Sequence, residues 1–170
     1  RFMRPSKRLR KKLSLIYHRL YKFFGSQHWW PGDSAFEVMV GAILTQNTNW
    51  ENVRKAIENL KKKALLEPSK IAKLPLKRLA SLIRPSGFFN LKAKRLKNFV
   101  NFFLKEFSGD VSKMERQDTH VLREKLLGIN GLGRETVDSI LLYALDKPIF
   151  VIDAYTSRIL SRHRILKGNE

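Results

Sequence analysis

Two features of this sequence could do chemistry: a carboxylate at a helix start and a turn bracketed by glycines. Asp153 follows the short apolar run Ile149-Phe150-Val151-Ile152 and stands 20 residues beyond Gly133. An aspartate there caps a helix, or it is a catalytic carboxylate held at the helix start. The two are compatible, since one oxygen can cap while the other faces a ligand. Residues 126–137 read Leu-Leu-Gly-Ile-Asn-Gly-Leu-Gly-Arg-Glu-Thr-Val. Gly131 and Gly133 enclose Leu132, and glycine lets a backbone turn tightly and approach another surface. Leu132 would point inward and pin two helices together. The N–H groups that open the second helix would then suit a phosphate. Such a hairpin grips DNA backbone without reading bases, although a G-x-G turn can also be a plain tight connection. Cysteine is absent, so residues 1–170 hold no disulfide, no thiol nucleophile and no thiolate-bound zinc or iron–sulfur cluster.

The elements that must position these groups are all helical. Leu9, Leu13, Ile16, Leu20 and Phe24 recur at helical spacing over Ser6–Phe24, with Lys and Arg on the other face. Gly25 stops this helix, and a loop with His28, Trp29, Trp30 and Pro31 follows. Asp33 or Ser34 caps a densely apolar helix from Ala35 to about Gln46, which must be buried on most sides. Thr48 or Asn49 caps the next, from about Glu51 to Lys63, and Pro68 and Pro75 start two short ones. Arg84-Pro85-Ser86-Gly87 is a turn. A long helix from Leu91 to Phe107 ends at Gly109, and Thr119 caps a helix through Leu127. Another spans Arg134–Leu145, Pro148 breaks it, and a last one runs from Ala154 to about Ser161. The run 149–152 is too short to distinguish strand from buried coil. The fold class is all-α, with nine or ten helices.

Charge names the partner. Lys and Arg number 34 against 15 Asp and Glu, a formal net charge of +19 over 170 residues. With 43% apolar and 11% aromatic residues the chain can bury a core, so it is not a disordered basic tail. Basic residues spread along the whole chain point to nucleic acid, held through phosphates and counterion release. A membrane surface is the weaker alternative, since only the first segment suits it. No apolar run approaches the length of a membrane span, and no export signal is read. A cytoplasmic, nucleoid-associated location is expected. The first residue is Arg and residues 162–170 close no core, so a fragment is expected.

The stretch from about Phe36 to Arg162 resembles the endonuclease III superfamily of helix-hairpin-helix DNA glycosylases. The resemblance lies in Ile43-Leu44-Thr45-Gln46-Asn47-Thr48, in Ser86-Gly87-Phe88-Phe89-Asn90 with Lys92-Ala93, in Leu127 through Thr136, in Val151-Ile152-Asp153 and in Arg158. It implies two helical subdomains flanking a cleft. Residues 1–34 and 151–170 would form one, and 35–150 the other, ending in the hairpin of 119–145. It implies a monomer that bends duplex DNA and flips a damaged nucleotide out of the stack. Asp153 would be the catalytic aspartate. Gln46 would fill the gap left by the flipped base, unless it is only a helix-terminal Gln. Phe88 would wedge into the stack, unless it is a core Phe. Asn130, Gly131, Leu132, Gly133, Arg134 and Thr136 would hold the backbone. The 128–133 loop would offer main-chain carbonyls to a monovalent cation, with no other metal or cofactor.

One departure sets the expected reaction. Where bifunctional members carry the lysine that forms a Schiff base, this chain has Glu135. A carboxylate cannot form that adduct, so the resemblance implies base removal by water without strand cleavage. Within the superfamily the chain is most similar to the bacterial 3-methyladenine DNA glycosylases of endonuclease III type. Trp29, Trp30, Pro31 and Trp50 match their base-sandwiching positions, or else form a packing cluster. A 3-methylated adenine is cationic, and indole faces attract cations by ~0.5–2 kcal/mol. Removal of uracil or mismatched thymine, and a non-catalytic hairpin module that only binds DNA, are the competing readings.

Overall fold

A computed structural model describes residues 6–27 and 29–165, and among these residues the fold is all-α with no strand. His28 lies outside the described residues. Ten α-helices follow in order: α1 Lys7–Phe24, α2 Ala35–Leu44, α3 Trp50–Lys62, α4 Pro68–Lys73, α5 Leu76–Leu82, α6 Phe89–Phe107, α7 Val111–Glu115, α8 Thr119–Leu127, α9 Arg134–Ser139 and α10 Ala154–Arg162. A 3₁₀ turn, Arg84–Ser86, precedes α6, and a π turn, Ile140–Ala144, continues α9. Two compact units result: Gly32–Asp153, and a discontinuous unit of Arg1–Pro31 with Ala154–Glu170. Residues 32–34 and 151–153 thus fall in the larger unit, three residues outside each boundary expected from sequence. The physical reason at the first boundary is an ion pair from Asp33 to Lys61 of α3 (2.7 Å).

Side chains cap the starts of five of these helices. Ser34 accepts from the Glu37 amide (3.2 Å), while the Glu37 carboxylate accepts from the Asp33 amide (3.1 Å) and pairs with Lys61 (2.6 Å). This is a capping box shifted by one residue. Lys61, between two carboxylates, is held above its ordinary pKa by its hydrogen bonds to Asp33 and then Glu37. Asn49 caps α3 through the Asn52 amide (3.0 Å). Asp118, not Thr119, caps α8, accepting from the amides of His120 (2.9 Å) and Val121 (3.0 Å). Its carboxylate competes better for these donors than the next residue's hydroxyl. Asp110 likewise caps the short α7, which sequence periodicity did not mark.

In the larger unit every residue of α2 except Ala35 is buried, as its apolar density requires. Phe99 and Phe103 of α6 stack at 5.9 Å, and Phe36 of α2 stacks on Phe103 at 6.0 Å. The α2 helix stops at Leu44, short of the expected Gln46, because Asn47 turns to φ 54°. The run 149–152 is neither strand nor buried. Phe150 and Ile152 are exposed, and no second strand among the described residues could pair with it.

Helices α8 and α9 are fastened side by side. Arg123 donates from Nε (2.7 Å) and Nη2 (3.1 Å) to the two oxygens of the buried Asp138. Bidentate geometry of this kind fixes orientation as well as energy. Asp138→Asn should lower stability by about 1–3 kcal/mol, read as a lower urea midpoint at unchanged slope.

Candidate active site and nucleic-acid interface

The hairpin is built from the inside out. Ile129 and Leu132 are buried, as the inward-pinning reading of Leu132 requires. The two glycines do different work. Gly131 has φ +96°, and a Cβ there would lie 2.3 Å from Cγ of Arg95. It is needed for the turn and for packing against α6. Gly133 has an extended backbone (φ −86°, ψ 171°) open to any residue, and a Cβ there would meet nothing within 4 Å. Nothing inside the protein asks for glycine at 133, so its missing side chain leaves room for another molecule's close approach. Arg134 and Asn130 beside it are exposed. Thr136, expected at the interface, is buried, and so is Leu132. Their side chains support the loop and offer no surface to a duplex.

Gln46 is tied to this loop. Its Nε2 donates to Thr136 Oγ1 (2.9 Å) and to Gly131 O (3.2 Å), and Arg95 Nη1 donates to its Oε1. Arginine only donates, so the Gln46 oxygen must face it and the amide nitrogen must face the hairpin. Gln46 must release these bonds to enter a duplex. Asn98 of α6 adds a bond to Asn130 O (3.1 Å). Next to this contact lies a groove of about 430 Å³ lined by Lys94, Arg95, Lys97, Asn98, Asn130 and two leucines. Three cations and no carboxylate line it, which suits a polyanion.

Phe88 is no core residue. It is 64% exposed and holds a left-handed backbone, φ 43° and ψ 33°, at the start of α6. Such a conformation costs a bulky residue about 1–3 kcal/mol and clusters at functional sites. An exposed aromatic ring on a strained turn is what an inserted wedge needs.

Asp153 is half-buried at the end of the larger unit. Glu135, on the exposed first turn of α9, has its carboxyl raised above the ordinary value, first by lost hydration and then by the charge of Asp153. The Tyr143 hydroxyl is raised by the same two causes in the same order. Asp153, Glu135 and Tyr143 therefore share one electrostatic neighbourhood, and Tyr143 is delivered by the π turn. Trp50, half-buried, opens α3 in the same unit. Trp29, 68% exposed, half-buried Trp30 and exposed Pro31 belong to the discontinuous unit.

Lys92 and Arg95 received no role from sequence. A signal was present: Lys92 precedes Leu96 by four residues and so interrupts the buried stripe of α6. A lysine at a core position needs a reason, because burial penalises its charge.

Residues 40–170 match the HhH-GPD superfamily of base excision DNA repair proteins. The chain belongs to this family, and with it to the endonuclease III superfamily. A protein of Methanocaldococcus jannaschii, named as a candidate DNA repair glycosylase, is 54% identical over 149 residues, covering 86% of this chain and 67% of that protein. Endonuclease III of Thermotoga maritima is 29% identical over 127 residues, 75% of this chain and 55% of its own length. The chain thus spans between about half and two thirds of these relatives. Among solved structures, the H. pylori 3-methyladenine DNA glycosylase MagIII, bound to 1,N6-ethenoadenine, superposes with TM-score 0.79 at 37% identity, over 95% of this chain and 75% of that one. An endonuclease III–DNA complex superposes with TM-score 0.79 at 20% identity, over 94% of this chain and 71% of that one. The last likeness is one of fold.

The two hairpin glycines should respond differently to one added methyl group. Gly131→Ala should destabilise the protein by about 1–3 kcal/mol through its positive φ and the clash with Arg95. Gly133→Ala should leave the melting temperature nearly unchanged, a change within about 0.5 kcal/mol, and weaken duplex binding. Calorimetry and fluorescence anisotropy read the two effects apart.

Proposed function

We propose that this chain carries the catalytic region of a monofunctional DNA glycosylase that hydrolyses the N-glycosidic bond of a flipped alkylated purine, with 3-methyladenine the leading substrate. The observation that carries the reading is Glu135. It occupies the lyase-lysine position of the family motif and shares its electrostatic surroundings with Asp153. A carboxylate there cannot attack the sugar and form an imine.

In this mechanism the hairpin backbone from Asn130 to Arg134 holds the phosphates, with the cations beside the adjoining groove adding affinity. Phe88 enters the stack and Gln46 takes the space of the extruded base. Asp153 faces the sugar. As the glycosidic bond lengthens, positive charge grows on the anomeric carbon and ring oxygen, and the carboxylate stabilises it while a water attacks. An alkylated purine already carries positive charge, so its departure needs no strong general acid. The indole face of Trp50, in the same unit as Asp153, is assigned to the cationic base. The match to MagIII at 37% identity supports this substrate class.

The monovalent cation implied for the 128–133 loop would use second lone pairs, since Ile129 O, Asn130 O and Gly131 O each already accept a hydrogen bond. No cysteine is present to hold an iron–sulfur cluster within residues 1–170.

Duplexes with single methylated, deaminated or oxidised bases test the reading. Base loss, revealed by alkali cleavage, should be fastest on 3-methyladenine, and no nick should form without alkali. Borohydride should trap no protein–DNA adduct. Asp153→Asn should reduce single-turnover excision by about 100-fold or more with binding retained. A trapped adduct, or full activity in Asp153→Asn, would overturn the assignment. Fastest excision of uracil or mismatched thymine would move the substrate class and leave the hydrolytic mechanism standing.

A further inference from the structure

Lys92 is 1% exposed, the most deeply buried charged side chain among the described residues. Its ammonium donates to Leu44 O (2.8 Å) and to Ser86 O (2.5 Å). Leu44 ends α2, where the carbonyls carry partial negative charge. Ser86 ends the 3₁₀ turn, and its own hydroxyl is fixed to Ile83 O (2.8 Å). Gln46 stands two residues after Leu44, and Phe88 stands two residues after Ser86. A single cation therefore grips the backbone just ahead of both residues assigned to enter the duplex. Arg95, one turn further along α6, holds the Gln46 side chain.

Burial, and then the charge of Arg95, push the ammonium down to about 8, and the two carbonyls it meets offset part of that cost. An apolar side chain would complete the α6 stripe without dehydrating a charge. What the ammonium adds is geometry: one donor group meets the carbonyls that end α2 and the 3₁₀ turn and fixes their separation.

We propose that Lys92 is a positioning residue for DNA insertion, setting the spacing between the Gln46 loop and the Phe88 loop so that both enter one distorted step of the duplex. The assignment rests on the glycosylase reading above. It adds a part that neither touches DNA nor takes part in bond cleavage.

The absence of cysteine makes a clean test available. Lys92→Cys introduces a single thiol. Alkylated in denaturant with 2-bromoethylamine and refolded, it becomes a sulfur-containing lysine analogue. Alkylated with 1-bromopropane, it becomes an uncharged side chain of equal length. Three quantities are compared: affinity for undamaged duplex, the fluorescence rise of 2-aminopurine placed beside the lesion, and single-turnover excision of 3-methyladenine.

The aminoethyl form should match wild type within about twofold in all three. The propyl form should fold and keep undamaged-duplex affinity within about threefold, yet lose about 10-fold or more in excision, together with the fluorescence rise, as misplacement by ångströms does. Equal behaviour of the two forms overturns the proposal. So does a propyl form that fails to fold while the aminoethyl form folds, since the ammonium would then serve folding. Wild-type protein that gives the fluorescence rise without base loss would sink the reading of the reaction, while the fluorescence arm still judges Lys92. Wild-type protein that binds duplex with no rise overturns both.

Discussion

Hydrogen bonds from two cations on α6 fasten together the loops that matter. Lys92 reaches the end of α2 and the turn before Phe88, and Arg95 reaches Gln46 while packing under Gly131. Asn98 continues the row to Asn130. The helix that carries them is anchored by Leu96, Phe99, Val100 and Phe103, each fully buried. Loops hung on a rigid helix hold their side chains more closely than loops that brace only one another. That matters for the proposed insertion of two side chains at one step of a duplex.

The hairpin follows a different logic, carried by the main chain. Gly131 satisfies an internal demand, and Gly133 leaves a surface bare. Binding through backbone N–H groups reads no base, and the +19 charge adds attraction that is equally blind to sequence. In the proposed function any duplex is held this way, so discrimination comes afterwards, from how easily a base leaves the stack and how well it is held once out.

The assigned chemistry turns on the type of one residue. Where a lysine would divert the reaction through an imine, Glu135 adds a second negative charge to the surroundings of Asp153. The Glu135 carboxyl is raised first by lost hydration and then by the charge of Asp153. A carboxylate favours positive charge beside it, and in the proposed reaction the sugar develops such charge as its base departs. Hydrolysis then needs water and an electrostatic partner and no covalent intermediate.

Much of this was legible along the chain. Helical periodicity gave nearly every long helix, because an amphipathic stripe is a local pattern. The hairpin glycines, Glu135 and Asp153 stood out as residue types at telling spacings. Short elements were less visible: α7 has five residues and no period to read, and the cap of α8 passed to Asp118 because capping depends on which side chain wins a local competition. The separate duties of Gly131 and Gly133, the inward turn of Thr136, the exposure of Phe88 and the reach of Lys92 to two carbonyls could not be read there. Residue types and spacing by themselves settled that the chain is helical, basic, cysteine-free and without a lysine at position 135. Tertiary structure alone decided which groups face inward and which loops α6 holds together, because, apart from the six-residue reach from Lys92 to Ser86 O, those contacts join residues 32 to 90 positions apart, and a linear pattern carries no information on what a side chain meets across such a distance.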